Sequence, residues 1–154
     1  GLDIGGPAGT PVYAPAEGVI QSFGYNPEAG DYGHVIVTEH DIGGVRCWML
    51  FGHLDAASVA FKRVGQVVER GERIGAFGAE HENGGWAPHV HFQVSLIPPA
   101  THDMPGVVSA AQRAQARLEF EFRQAAAPRR RPARLRDQGA PVVGQLEHDH
   151  RDGR

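Results

Sequence analysis

The placement of glycine constrains this chain most. Of its 21 glycines, 18 fall within residues 1–106, between short apolar or β-branched runs. Glycine supplies the positive φ that tight turns need, so this stretch reads as short strands joined by turns. Six runs carry strand patterns: residues 10–14, 18–23, 34–40, 45–51, 73–77 and 89–96. HVIVTEH at 34–40 alternates apolar and polar residues with period two, and VRCWMLF at 45–51 has the apolar density of a buried strand. Short strands at this spacing argue for an antiparallel all-β domain. One helix is expected, over the Ala- and Gln-rich residues 109–118.

Charge divides the chain in the same way. Residues 1–124 hold 8 basic and 14 acidic side chains, whereas residues 125–154 hold 7 and 4. The last 30 residues contain no aromatic residue and include Arg129-Arg130-Arg131 between prolines. Such a segment has little to bury, and a disordered Arg/Ala/Pro-rich tail is expected there. The acidic residues Glu147, Asp149 and Asp152 favour a solvated tail over a nucleic-acid or membrane contact. The expected organisation is a domain over 1–106, a short helix or link over 107–124, and the tail over 125–154. No run of 18 apolar residues is present, so no membrane-spanning helix is expected.

A repeated pattern sits inside the β region. Residues 11–20 (PVYAPAEGVI) and 64–75 (VGQVVERGERIG) each read as strand, Gly-closed turn, strand. Such paired halves occur in hybrid-motif sheets, in lipoyl and biotinyl carrier domains and in one zinc peptidase family. A carrier domain displays a modified lysine on a tight hairpin. The single lysine, Lys62, lies in Ala60-Phe61-Lys62-Arg63 without suitable flanks, which disfavours the carrier.

The histidines point the other way. There are nine, beside one cysteine, Cys47, so a disulfide framework is excluded and a metal site would draw on imidazole and carboxylate. In Pro88-His89-Val90-His91-Phe92, residues i and i+2 of a strand face the same side. His89 and His91 thus project together, with Val90 and Phe92 on the apolar side. Alone, the pair is equally consistent with a solvated strand face. Phe51-Gly52-His53-Leu54 closes the most apolar strand, where a histidine is often a hydrogen-bonded core residue. In Gly1-Leu2-Asp3-Ile4 an acid stands between two apolar residues. Buried, it would need a partner, of which a metal ion is one. His34 and His40, on one alternating strand, read as structural or cleft-lining. His102, His148 and His150 lie apart from these motifs.

Taken in order, these segments resemble the lysostaphin/LytM-type zinc metallopeptidases, the M-23 peptidases. Gly1-Leu2-Asp3 matches the end of that family's His-x-Gly-x-Asp segment. Gly52-His53-Leu54 matches its Gly-His-Leu segment and His89-Val90-His91 its His-x-His segment. The intervening Gly9-Thr10-Pro11-Val12, Ala14-Pro15 with Gly18-Val19, and Val64-Gly65-Gln66-Val67 with Gly71 fit as well. The resemblance runs from Gly1 to about Pro98.

It implies an all-β, antiparallel, hybrid-motif sheet and a zinc endopeptidase that cuts peptidoglycan cross-links or glycine-rich peptides. It further implies Asp3 and His91 as zinc ligands, and His53 and His89 as catalytic histidines that do not ligate. The family's remaining ligand, a His two positions before Gly1, lies outside this chain. Activity of the fragment is expected to be impaired for that reason, with His81 a poor substitute. No His-Glu-x-x-His helix is present, which excludes the mechanism that uses its Glu as base. The segments Asp31-Tyr32-Gly33, Asn83–Pro88 and Asp103–Val107 look like the peptidase-like domain fused to class-III aminotransferases. A cytoplasmic accessory domain, or a non-catalytic regulatory module, is therefore the alternative. A cell-wall enzyme would be periplasmic or extracellular.

Overall fold

The computed structural model describes residues 1–105. The expected 109–118 helix, the 125–154 tail, His148 and His150 lie outside the described residues. Among the described residues eight strands form: β1 (Leu2–Gly5), β2 (Pro11–Tyr13), β3 (Gly18–Asn26), β4 (Gly33–Ile42), β5 (Val45–Leu54), β6 (Val67–Val68), β7 (Arg73–Ala76) and β8 (His89–Ser95). One four-residue helix, α1 (Ala56–Val59), follows β5. The domain is thus mostly β, as the glycine spacing implied.

Six strands make one sheet in the order β1-β8-β5-β4-β3-β6, and β2 pairs with β7 in a second, two-stranded sheet. Every pairing is antiparallel. The six expected strands all form, and β3 and β4 run longer than their patterns. Those patterns end where polar residues begin, yet Tyr25, Asn26 and Asp41 still pair across the ladder.

Both faces of the large sheet are covered. On one face Ile20, Ile36, Met49, Phe51 and Val90 pack with Val12 and Ile74 of the small sheet. On the other, Val35, Val37, Trp48 and Leu50 pack with Tyr32 and Met104. Consecutive residues of β4 and β5 feed opposite cores, so a strand covered on both sides needs an unbroken apolar run. Cys47 is buried in the first core, and burial raises its thiol pKa.

After β8 the chain crosses back over the sheet. Ser22 Oγ donates to Thr101 O and the His102 ring lies over Gly24, where a Cβ would collide with it. This brings Met104 and Pro105 beside the strand ends that carry the histidines.

Candidate active site

Strand register builds the site. In the β1–β8 ladder Asp3 is the direct partner of His91, and Gly5 of His89. In the β5–β8 ladder Gly52 is the partner of His91, which sets His53 next to it. Three strands therefore bring four residues from the start, middle and end of the domain to one patch. Asp3 Oδ1 is 2.7 Å from His91 Nδ1 and 4.0 Å from His89 Nε2. The His53 and His89 rings lie 4.2 Å apart between centroids, and the His53 and His91 rings 6.3 Å. Val90 and Phe92 pack into the core on the opposite side of β8, as the period-two pattern required.

The three imidazoles are held differently. His53 Nδ1 lies 2.7 Å from Asn83 O, and His89 Nδ1 lies 2.7 Å from Ala87 O. A carbonyl only accepts, so each Nδ1 carries the proton and each Nε2 keeps its lone pair. His91 is turned the other way, with Nδ1 toward Asp3 and Nε2 3.3 Å from Gln93 Oε1. Gln93 is itself oriented, because its Nε2 donates to Pro105 O at 3.3 Å. Its oxygen must then face His91, so Nε2 donates to Gln93, while Nδ1 donates to the Asp3 carboxylate, which only accepts; a metal held there would replace that Nδ1 proton.

His53 occupies a left-handed backbone conformation with φ 60°, the sole non-glycine residue to do so among the described residues. That region costs an L-residue roughly 1–2 kcal/mol. It is held on both sides: His53 N–H donates to Tyr32 O at 2.7 Å, and Gly78 N–H donates to His53 O at 2.8 Å. The residue before it must be glycine, since a Cβ on Gly52 would come within 2.8 Å of the Tyr32 ring. His53 is buried, and burial pushes its pKa below the ordinary histidine value. The nearby His89 and His91 act in the same direction, against the bond to Asn83 and the Asp3 carboxylate. Its imidazole is therefore neutral at pH 7 and able to accept a proton.

Tyr32 lines the floor. Its ring lies 5.0 Å from that of His91 and 5.6 Å from that of His53. Its phenol donates to Met104 O at 3.2 Å. The phenol pKa is pushed up to about 12, first by burial and then by Asp103, Asp31 and Asp3, so it remains a donor.

One expectation needs correction. Asp3 is not buried: its side chain is 66% exposed, because β1 is the edge strand of the sheet. The cost of burying a carboxylate therefore gives no reason for a metal there. What points to one is the convergence of Asp3 with His91. A carboxylate oxygen and an imidazole nitrogen are donors that zinc accepts, but they number two. Among the described residues no three His, Cys, Asp or Glu side chains form a metal-holding group. His81 is exposed in the turns after β7.

The other histidines are placed as structural residues. His40 is buried between Thr38 Oγ1 and Glu17 O, at 2.6 and 2.7 Å. His34 is tied to Glu82 O at 3.1 Å and stacks on Tyr25. Three residues that touch the site were not named as site residues from sequence: Tyr32 and Asn83, noted only in segments that carry a resemblance, and Gln93. The signal for Gln93 was present, since it stands two residues after His91 and shares its strand face.

The comparisons bear on the family and the fold of the chain. An uncharacterized metalloprotease of Haemophilus influenzae is 32% identical over 127 residues, covering 80% of this chain and 24% of that protein. The peptidoglycan DD-endopeptidase ShyA of Vibrio cholerae is 35% identical over 94 residues, covering 61% of this chain and 19% of that protein. The chain thus spans about a quarter or less of the length of these relatives. Among solved structures, a mutant catalytic domain of the prophage-encoded M23 protein EnpA from Enterococcus faecalis superposes with a TM-score of 0.51 at 23% identity. That match covers 71% of this chain and 78% of that one, and supports the fold. The relatives do not bear on a fusion to an aminotransferase. Residues 1–102 match the sequence profile of Peptidase family M23, and the chain belongs to that family of metallopeptidases.

Proposed function

We propose that this chain is the catalytic domain of a zinc metalloendopeptidase that hydrolyses peptide cross-links of peptidoglycan. The observation that carries the reading is the convergence of Asp3, His53, His89 and His91 on one patch from three strands. The relative named as a peptidoglycan DD-endopeptidase supports the substrate class.

In this reading Asp3 Oδ1 and His91 Nδ1 hold the metal. Bound zinc acidifies water toward neutral pKa and polarises a carbonyl. The chain's own residues handle the protons. His53 Nε2 is unprotonated and faces the site, which suits it to take a proton from the attacking water. His89 Nε2, beside it and also holding a lone pair, suits taking up a proton and then passing it to the leaving amine. Gln93 holds His91 with Nδ1 forward, and the Tyr32 ring packs against the imidazoles of His53 and His91.

Catalytic zinc usually takes three protein ligands and leaves one position open. Asp3 and His91 would supply two, and the resemblance implies a His as the third. Strand periodicity supports its place. A residue two positions upstream of Gly1, on a continued β1, would share the face of Asp3. Gly1 lies between them, and a Cβ there would strike the His91 ring, so the strand passes close to the ligand. The second reading is a non-catalytic module that docks on the same substrate.

Zinc stoichiometry separates the two. Zinc per chain should approach one when the chain is extended upstream by its native sequence, and His91→Ala should abolish binding. An extended protein that binds no zinc contradicts the peptidase reading and leaves the docking module.

A further inference from the structure

Asn83 is completely buried in the 78–88 loop. Its side chain makes three hydrogen bonds. Nδ2 donates to Gly78 O at 3.2 Å and to Trp86 O at 2.9 Å, and Oδ1 accepts from Trp86 N at 2.9 Å. These bonds pin the start of the loop and grip both polar groups of Trp86. The residue after Trp86 is Ala87, whose carbonyl holds His89 Nδ1. Asn83's own carbonyl holds His53 Nδ1.

One buried amide thus shapes the two carbonyls that fix both imidazoles. A histidine without such a partner takes either tautomer. Here both rings are held with Nδ1–H turned into the loop and Nε2 turned out. We propose that Asn83 is the positioning residue of this site, setting the tautomers of His53 and His89 together. This rests on the reading of those two histidines as catalytic, although the tautomers themselves can be measured without turnover.

The loop as a whole is anchored independently. Gly30 N–H donates to Gly84 O at 2.9 Å, and the Glu82 carboxylate accepts from Ala56 N and Ala79 N at 2.9 and 3.2 Å. Losing the Asn83 side chain should therefore relax the inner path of the loop before the loop detaches. Wrong tautomers place a proton on the nitrogen that must accept one, and general acid–base catalysis is worth roughly 100- to 10,000-fold.

Side-chain 15N spectra of the metal-free chain at pH 8 provide the test. In the wild type, both His53 and His89 should show a protonated Nδ1 and an unprotonated Nε2. Asn83→Ala should shift both toward Nε2–H, and Glu82→Ala, which removes two other loop bonds, should leave both unchanged. Nε2–H at either histidine in the wild type would overturn the proposal, and that measurement decides even where Asn83→Ala fails to fold. Unchanged tautomers in a folded Asn83→Ala protein would overturn it as well. Failure of the peptidase reading shows separately, as absent zinc or absent cleavage with these tautomers intact.

Discussion

At the scale of single residues, the site depends on which nitrogen of each imidazole faces the patch. His53 and His89 present Nε2, and His91 presents Nδ1. For His91 the choice is made by Gln93, whose amide is oriented by Pro105 O. Outer hydrogen bonds of this kind raise metal affinity about 10- to 100-fold. Gln93→Leu should weaken zinc binding by that factor in a chelator competition, and Gln93→Glu, which keeps an acceptor toward His91, should largely restore it. His53 has a pH consequence. Its folded pKa lies below the unfolded value of 6.5, chiefly through burial. As pH falls below 6.5 the unfolded chain takes the proton first, so stability drops until the pH passes the depressed folded value. The melting temperature of the metal-free protein should fall between pH 7.5 and pH 5, and His53→Gln should fall less. Equal losses would show that His53 is not the titrating group. The pairing of His89 with His91 was legible from period two. The tautomers were not, because the acceptor for His53 is a backbone carbonyl thirty residues along the chain.

At the scale of elements, β8 carries the site. It lies between β1 and β5, so the His-x-His strand receives Asp3 from one neighbour and His53 from the other. No local pattern encodes that strand order, and two- and four-residue strands such as β6 and β1 are too short for periodicity to reveal. The ordered motifs at residues 3, 53, 89 and 91 pointed to a shared site only through resemblance to a family, without giving the strand order. The 78–88 loop must also sit close against residues 30–34. Gly33 makes this possible: it has φ 60°, and a Cβ on it would come within 2.7 Å of the Asn83 backbone. Gly33→Ala should cost about 1–3 kcal/mol in denaturant unfolding. It should also disturb the His53 and His89 tautomers, since the loop would be pushed away. A Gly33→Ala protein with wild-type stability would show that the close approach is unnecessary.

At the scale of the molecule, the large sheet is a platform with a core on each face, and the site occupies one end of three adjacent strands. The early part of the sequence read well at this level. Gly-closed turns and β-branched runs are local features, and the apolar run of β5 announces a buried strand; the period-two reading of β4 missed that Val35 and Val37 feed one core and Ile36 the other. The return of residues 97–105 across the second face did not read, because Met104 alone marks it as part of a core. Residues 1–102 match Peptidase family M23, and we propose 1–106 as the extent of the domain. The central claim is that Asp3, His53, His89 and His91 act together as one metallopeptidase site. Cleavage of purified peptidoglycan cross-links, measured alongside zinc content in the chain extended by its native upstream sequence, tests this most directly. The account predicts cleavage that requires zinc, and a His53→Ala variant that keeps its zinc and loses turnover. Full cleavage by His53→Ala, or by the zinc-stripped protein, would contradict it.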